Sequence, residues 1–265
     1  MARITFSPEL VLQLVLSLLL GLTMTSVLMA DHHEGEKQYI ELRYYDVKSA
    51  AAAKAVDAYL ADALVPALNR AGSKNIGVFR EEEEKAEPFR LVVIAHDSIG
   101  DFSNLAGKLA HDDTYRKAAA DYMAMNKDSP LARIRSELLH SFDCWKRLKT
   151  AKESGLDATI FELRIYESAN EHFGDLKVEM FNSGEVPIFL DSGVIPIFMG
   201  QAIAGDKMPN LTYMTAYKDQ ASKDKAWDNF RKHADWQVLK QVEKFKGSVS
   251  KIHKINLIPM DASQL

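Results

Sequence analysis

Glu162, Arg164 and Tyr166 alternate with Phe161, Leu163 and Ile165, the period of a strand whose two faces differ in chemistry. The same types stand at Glu41, Arg43 and Tyr45. A guanidinium can clamp a carboxylate through paired hydrogen bonds, and a neighbouring carboxylate and phenol add an acceptor and a donor. Each trio could therefore bind an anionic or oxygenated small molecule. The alternative is that Glu and Arg neutralise each other across an interface, because buried charges persist only when paired. With Phe161, Leu163 and Ile165 turned toward covering helices, the polar set is expected to face an interior cavity.

His140 and His253 fall on two predicted final strands, in places that look equivalent. They could serve as acid/base groups or as haem ligands, or be satisfied core and rim residues. His96, His111 and His233 sit at strand or helix ends, and no pair shows an H-x-x-x-H spacing, so no zinc site follows. Cys144 is the only cysteine. It excludes an intrachain disulfide and reads as a small buried hydrophobe. Gly-rich phosphate loops and G-x-S-x-G phrases are absent from the sequence. The run Glu81 to Glu84 reads as a solvated hairpin tip.

The first thirty residues follow another pattern. Arg3 precedes an apolar run from Leu10 to Leu22, and the segment ends Val27-Leu28-Met29-Ala30. That is the pattern of a signal peptide over 1–30, cleaved after Ala30, and it predicts export to the periplasm or the extracellular space. An uncleaved segment would be the only membrane contact. Cleavage there would expose Asp31-His32-His33, whose amine, amides and third-position imidazole suit square-planar Cu(II) or Ni(II). The alternative for 31–38 is a polar leader. Charged residues make up 26% with a formal net charge of −4, interspersed in sign, so a nucleic-acid partner is not expected.

The elements that position these residues show a repeat. Glu41-Leu42-Arg43 with Tyr45 recurs as Glu162-Leu163-Arg164 with Tyr166, a shift of 162 − 41 = 121. Val65-Pro66 falls on Val186-Pro187 and Gly72 on Gly193 at the same shift. His111 falls near His233 (233 − 111 = 122) and His140 near His253 (253 − 140 = 113), which implies a shorter loop in the second copy. Self-similarity at a steady offset signals duplicated supersecondary units. Hydrophobic period predicts strands at 39–47, 75–82, 89–96 and 136–148 with helices at 50–70 and 99–125. The second copy predicts strands at 159–166, 194–204, 211–218 and 248–258 with helices at 171–190 and 222–245. Trp227, Phe230, Ala234, Val238 and Val242 form one helical stripe. A break is expected near Ala234, with Asp235 able to cap a restarted helix and Trp236 off the stripe.

A βαββαβ unit places both helices on one face of its sheet and leaves the other bare. Leu91 to Ala95 and Ile195 to Met199 are nearly continuous apolar runs, as in strands buried on both faces. The nearest cover for each bare face is the other copy's, so the two sheets are expected to close into a pseudo-symmetric barrel, a pseudo-dimer within one chain. The predicted organisation is a first domain at 39–148, a linker at 149–157 and a second domain at 158–260.

At Phe161-Glu162-Leu163-Arg164-Ile165-Tyr166, and again in Ala226-Trp227-Asp228-Asn229-Phe230 with Asp235-Trp236, the chain resembles the NIPSNAP family. The second half is the closer match; the first keeps the opening phrase and departs at its helix. The resemblance implies an α+β fold: tandem ferredoxin-like units whose antiparallel sheets pack as a dimeric-type α/β barrel. It sets the leading expectation, an exported protein that binds a small molecule or protein partner in or around the barrel, with no cofactor required. The competing expectation is an enzyme of the same barrel class, either a cofactor-free monooxygenase or a haem protein.

Overall fold

The structure, a computed structural model, describes residues 35–265. The predicted signal segment and the Asp31-His32-His33 triad lie outside the described residues. From Lys37 onward the chain forms a single compact unit. Its first half runs β1 (Tyr39–Val47), α1 (Ala50–Tyr59), α2 (Val65–Arg70), β2 (Gly77–Glu81), β3 (Phe89–His96), α3 (Ile99–Ala110), α4 (Asp113–Ala118), α5 (Ala120–Ala124) and β4 (Leu131–Ser141). The second runs β5 (Ile160–Glu167), α6 (Glu171–Met180), α7 (Val186–Ser192), β6 (Ile195–Ala204), β7 (Asn210–Tyr217), α8 (Gln220–Lys232), α9 (Ala234–Leu239) and β8 (Lys251–Pro259). The described strands close into one antiparallel barrel in the order β1-β3-β2-β8-β5-β7-β6-β4. The halves meet at two seams, β2–β8 and β4–β6.

The offset of 121 holds in local structure. Ser49 and Asn170 cap α1 and α6, each side chain accepting a backbone N–H three residues on; Ser98 and Asp219 do the same for α3 and α8. These caps satisfy N–H groups that no helical carbonyl can reach. Both Val-Pro pairs follow a π turn, Leu60–Leu64 in one half and Phe181–Glu185 in the other. A proline ring crowds the carbonyl four residues back and cannot donate to it, and the wider turn accommodates both effects. Strand pairing repeats as well: Tyr39 opposes His96 and Ile160 opposes Tyr217, with 160 − 39 = 217 − 96 = 121.

The barrel interior is a filled apolar core to which both halves contribute. It includes Ile40, Leu42 and Tyr44 of β1, Phe161 and Leu163 of β5, and Phe79, Met214 and Leu257. Over β8, where the halves meet, the Phe79 and Phe161 rings lie 4.9 Å apart. Two further cores fill the space between sheet and helices, one per half. Tyr45 belongs to the first and Tyr166 to the second, so the Glu-Arg-Tyr face lies beneath the helices and the Leu-bearing face lines the interior. This reverses the expected orientation. Both faces of these strands are dry, so alternation sorts residues into two sets without saying which side each set takes.

The second-half helix breaks at His233, as expected, but the cap is the His233 side chain, which accepts from the Asp235 N–H. Trp236 packs against Phe230, with centroids 4.5 Å apart, whereas Val238 is 71% exposed and leaves the stripe. The predicted helix over 99–125 is divided by a cap at Asp112, whose side chain accepts from the Tyr115 N–H. The tail beyond β8 laces onto the first half: Met260 donates to the Val78 carbonyl, while Ser263 Oγ and Gln264 Oε1 accept from the Val78 and Ile76 N–H groups.

Because Phe161 is packed by the opposite half, Phe161→Ala should cost about 4 kcal/mol. Circular dichroism and tryptophan fluorescence in urea should still give one coincident transition. Separate transitions for the two probes would show that the halves unfold independently.

Candidate functional site

In the second half, Arg164 Nε donates to Glu162 Oε2 at 2.6 Å, and the guanidinium carbon lies 3.5 Å from the centroid of the Trp227 ring. The Tyr166 hydroxyl, 3.4 Å from Arg164 Nη1, shares a 2.8 Å hydrogen bond with the Tyr213 hydroxyl. Burial alone would favour neutral Arg164, but the Glu162 carboxylate beside it helps to hold the guanidinium charged. The pairing runs along one strand, two residues apart, and does not cross between the halves. It leaves Arg164 clamped under the helices and occupied.

The other oxygen of Glu162 meets a residue that the strand pattern did not suggest. Lys223 Nζ, on α8, lies 3.0 Å from Glu162 Oε1 and donates to Asn256 Oδ1 on β8. Lys223 is 6% exposed and Glu162 3%. An ammonium carries three protons, so one remains uncommitted. The signal lay in the stripe: Trp227 minus four is Lys223, a lysine at a position where α8 otherwise buries Ala226, Trp227 and Phe230. A second buried pair, Lys177 with Glu185 at 2.6 Å, also escaped the sequence reading.

Glu162, Lys223 and Asn256 line a cleft of about 420 Å³ over the β2–β8 seam, whose opposite wall is Glu81 to Glu83 from the first half. Glu82 and Glu83 are exposed, as expected of a hairpin tip, but Glu81 is only 4% exposed and corrects that reading. Its Oε1 pairs with Lys85 Nζ at 3.0 Å, and its Oε2 is buried without a hydrogen-bond partner. An unsatisfied buried acceptor costs about 1–3 kcal/mol.

In the first half, Glu41 is 2% exposed and takes three partners: Arg43 Nε at 2.7 Å, His96 Nε2 at 3.2 Å and Ser136 Oγ at 3.0 Å. Burial alone would raise its pKa. The His96 hydrogen bond and the Arg43 charge outweigh it and hold the carboxyl at about 2. Tyr45 lies in the core beneath the helices, beside Tyr59, whose hydroxyl bonds Tyr115 at 2.8 Å. The histidine that joins the predicted trio is therefore His96, brought in by the β1–β3 register.

His140 and His253 do not occupy equivalent places. His140 opposes Tyr39, and His253 opposes Ile165. The counterpart of Ile165 is Tyr44, which opposes Arg135. Arg135 donates to Asp46 at 2.7 Å, and His253 Nε2 meets Glu167 in the matching place, so the repeated feature is a carboxylate held by a nitrogen of the neighbouring strand. A haem iron needs an imidazole nitrogen free to face a cavity. His253 commits Nε2 to Glu167, and His140, stacked on Tyr39 with centroids 4.8 Å apart, is not among the residues that line the β2–β8 cleft. Of the other histidines, His111 Nδ1 bonds the Gly107 carbonyl, and no His, Cys, Asp and Glu grouping among the described residues suits a metal. Cys144 is half-buried, and burial pushes its thiol up to about 11.

The two seams can be compared position by position. Glu81 answers to Ala202 (81 + 121 = 202) and Lys223 to Phe102 (223 − 121 = 102). Asn256 opposes Glu162 as Leu138 opposes Glu41. At the β4–β6 half these places hold Ala202, Phe102 and Leu138, and there a Cβ on Gly200 would fall 2.8 Å from the Leu139 Cβ; that seam has a buried carboxylate of its own, Glu137, whose Oε2 lacks a hydrogen-bond partner. What the β2–β8 seam has and the matching places of the other lack is a buried lysine paired to a glutamate at the floor of a cleft.

The Glu41 carboxyl supports a pH prediction. A folded-state pKa of about 2 against an ordinary 4.5 contributes stability that is complete above 4.5 and lost as pH falls toward 2. Denaturation midpoints should fall over that window in the native chain and much less in Glu41→Gln. At pH 7 the variant should be less stable by on the order of 3 kcal/mol. An equal acid slope in both proteins would show that Glu41 is not the titrating group.

Residues 161–264 match the NIPSNAP family model. A candidate monooxygenase from Fusobacterium nucleatum subsp. nucleatum ATCC 25586 superposes with a TM-score of 0.55 at 12% identity, over 84% of this chain and 93% of that one. A candidate monooxygenase from Lactobacillus acidophilus NCFM gives 0.54 at 12% identity, over 84% and 94%. At such identities the likeness is one of fold, and it spans both halves. No curated protein matches the chain. The half that holds Glu162, Arg164 and Lys223 is the matched one, and over residues 161–264 the chain carries a NIPSNAP domain.

Proposed function

We propose that this protein binds a small polar molecule in the cleft over the β2–β8 seam, with Glu162, Lys223 and Asn256 as its floor. The observation that carries this reading is the inequality of the seams. At the matching places the other seam has Ala202, Phe102 and Leu138, whereas here a buried lysine paired to a buried glutamate borders an open cleft, an arrangement that closure alone does not call for. Buried ionisable groups beside a cleft are retained at some cost in stability, and ligand binding is a reason to retain them. We also read the protein as exported, on the N-terminal pattern alone.

The test is ligand-observed NMR with a panel of small acids, amines, amino acids and sugars. At least one member should bind the native chain and lose at least tenfold in affinity in Lys223→Met. The variant should stay folded, because Arg164 still pairs with the Glu162 carboxylate at 2.6 Å. Absence of any binding that depends on Lys223 would refute the reading.

A second reading is an enzyme of the same barrel class, favoured by the likeness in fold, over 84% of this chain, to the two candidate monooxygenases. Oxygen uptake during incubation with the panel would support it. A Soret band after haem supplementation would favour a haem protein despite the poor fit of His140 and His253, and a flat visible spectrum would remove that branch.

A further inference from the structure

The cleft's charges differ in how far they are already satisfied. Lys85 is paired to Glu81, Lys223 to Glu162, and Asn256 Nδ2 to Glu82 at 2.8 Å. Four capacities remain after these contacts. Glu81 Oε2 has no partner and is closed to solvent, so it meets a ligand once the side chain turns into the cleft that Glu81 lines; the exposed Glu83 and Lys254 make no ion pair among the described residues. Lys223 keeps one uncommitted proton. Two are acceptors that carry negative charge and two are donors that carry positive charge. A ligand with only a carboxylate would leave the Glu81 oxygen buried and unsatisfied, and one with only an amine would leave the lysines unanswered.

We propose that the cleft recognises a small zwitterion, its ammonium held by Glu81 and Glu83 and its carboxylate by Lys223 and Lys254. The assignment rests on the small-molecule reading above and narrows it to one chemical class. Charge-assisted hydrogen bonds at both ends of a ligand also give length selectivity, because both ends must be met at once. The volume of about 420 Å³ admits a flexible amino acid and is large for glycine.

The experiment titrates the full chain at pH 7 and low salt with γ-aminobutyrate, 5-aminovalerate and 6-aminohexanoate, and with n-butylamine and butyrate as single-charge controls. One zwitterion should bind at least tenfold more tightly than both controls. Glu81→Gln and Lys254→Met should each weaken it at least tenfold, and thermal melts should confirm that both variants are folded. Equal binding of zwitterion and controls, or indifference to Glu81→Gln, overturns the assignment. If other panel members bind in a Lys223-dependent way while no amino acid does, the zwitterion assignment falls and the small-molecule reading stands. If nothing binds in that way, both fall.

Discussion

The dry contact between the two sheets inside the barrel sets the terms for the rest of the molecule. Phe79 and Phe161 meet at 4.9 Å, with Leu42, Leu163 and Met214 in the same core. A closed barrel has no edge and no room for water at its centre, so one residue set of each strand must be apolar. The alternate set is then pressed beneath the helices. Any charge there must find partners locally, which accounts for Glu41 with Arg43 and His96, and for Arg164 between Glu162 and Trp227.

Much of this was legible in the sequence, through periodicity and self-comparison. The shift of 121 located matching strands, helix caps and Val-Pro pairs, and the need to cover two bare sheet faces led to the barrel. The direction of the Glu-Arg-Tyr face was not legible. Period two separates residue sets, but with both faces buried it gives no sign of which faces the helices. His140 and His253 were matched by sequence proximity, whereas strand pairing places His253 opposite Ile165, the counterpart of Tyr44. Glu81 was hidden in a run of four glutamates, since charge runs are usually solvated faces. Its burial depends on β8, well over a hundred residues later, and only the closed barrel brings the two together.

Pseudo-symmetry acts as an internal control that single-copy proteins lack. Where the halves agree, as in their caps, π turns and Glu-Arg pairs, the shared feature belongs to the architecture. Where they disagree, the difference marks what architecture does not demand. His96 against Tyr217 and Phe102 against Lys223 are differences of that kind, and they fall around the same two glutamates. The second half has a carboxylate-lysine pair facing a cleft, while in the first the equivalent carboxylate is sealed by a histidine.

The unequal seams bear on how occupancy responds to concentration. In a homodimer of identical units a two-fold axis would make both seams the same, so any pocket would occur twice and two bound molecules could influence each other. Joining the units in one chain removes that equivalence, and here the buried lysine-glutamate pair beside a cleft stands at the β2–β8 seam, with Phe102 in the place of the lysine in the other half. Under the binding proposed above, the saturation curve of a single chain has one step and no cooperativity between equivalent seams. A sigmoidal response would have to arise from contacts between whole chains, not from within the barrel.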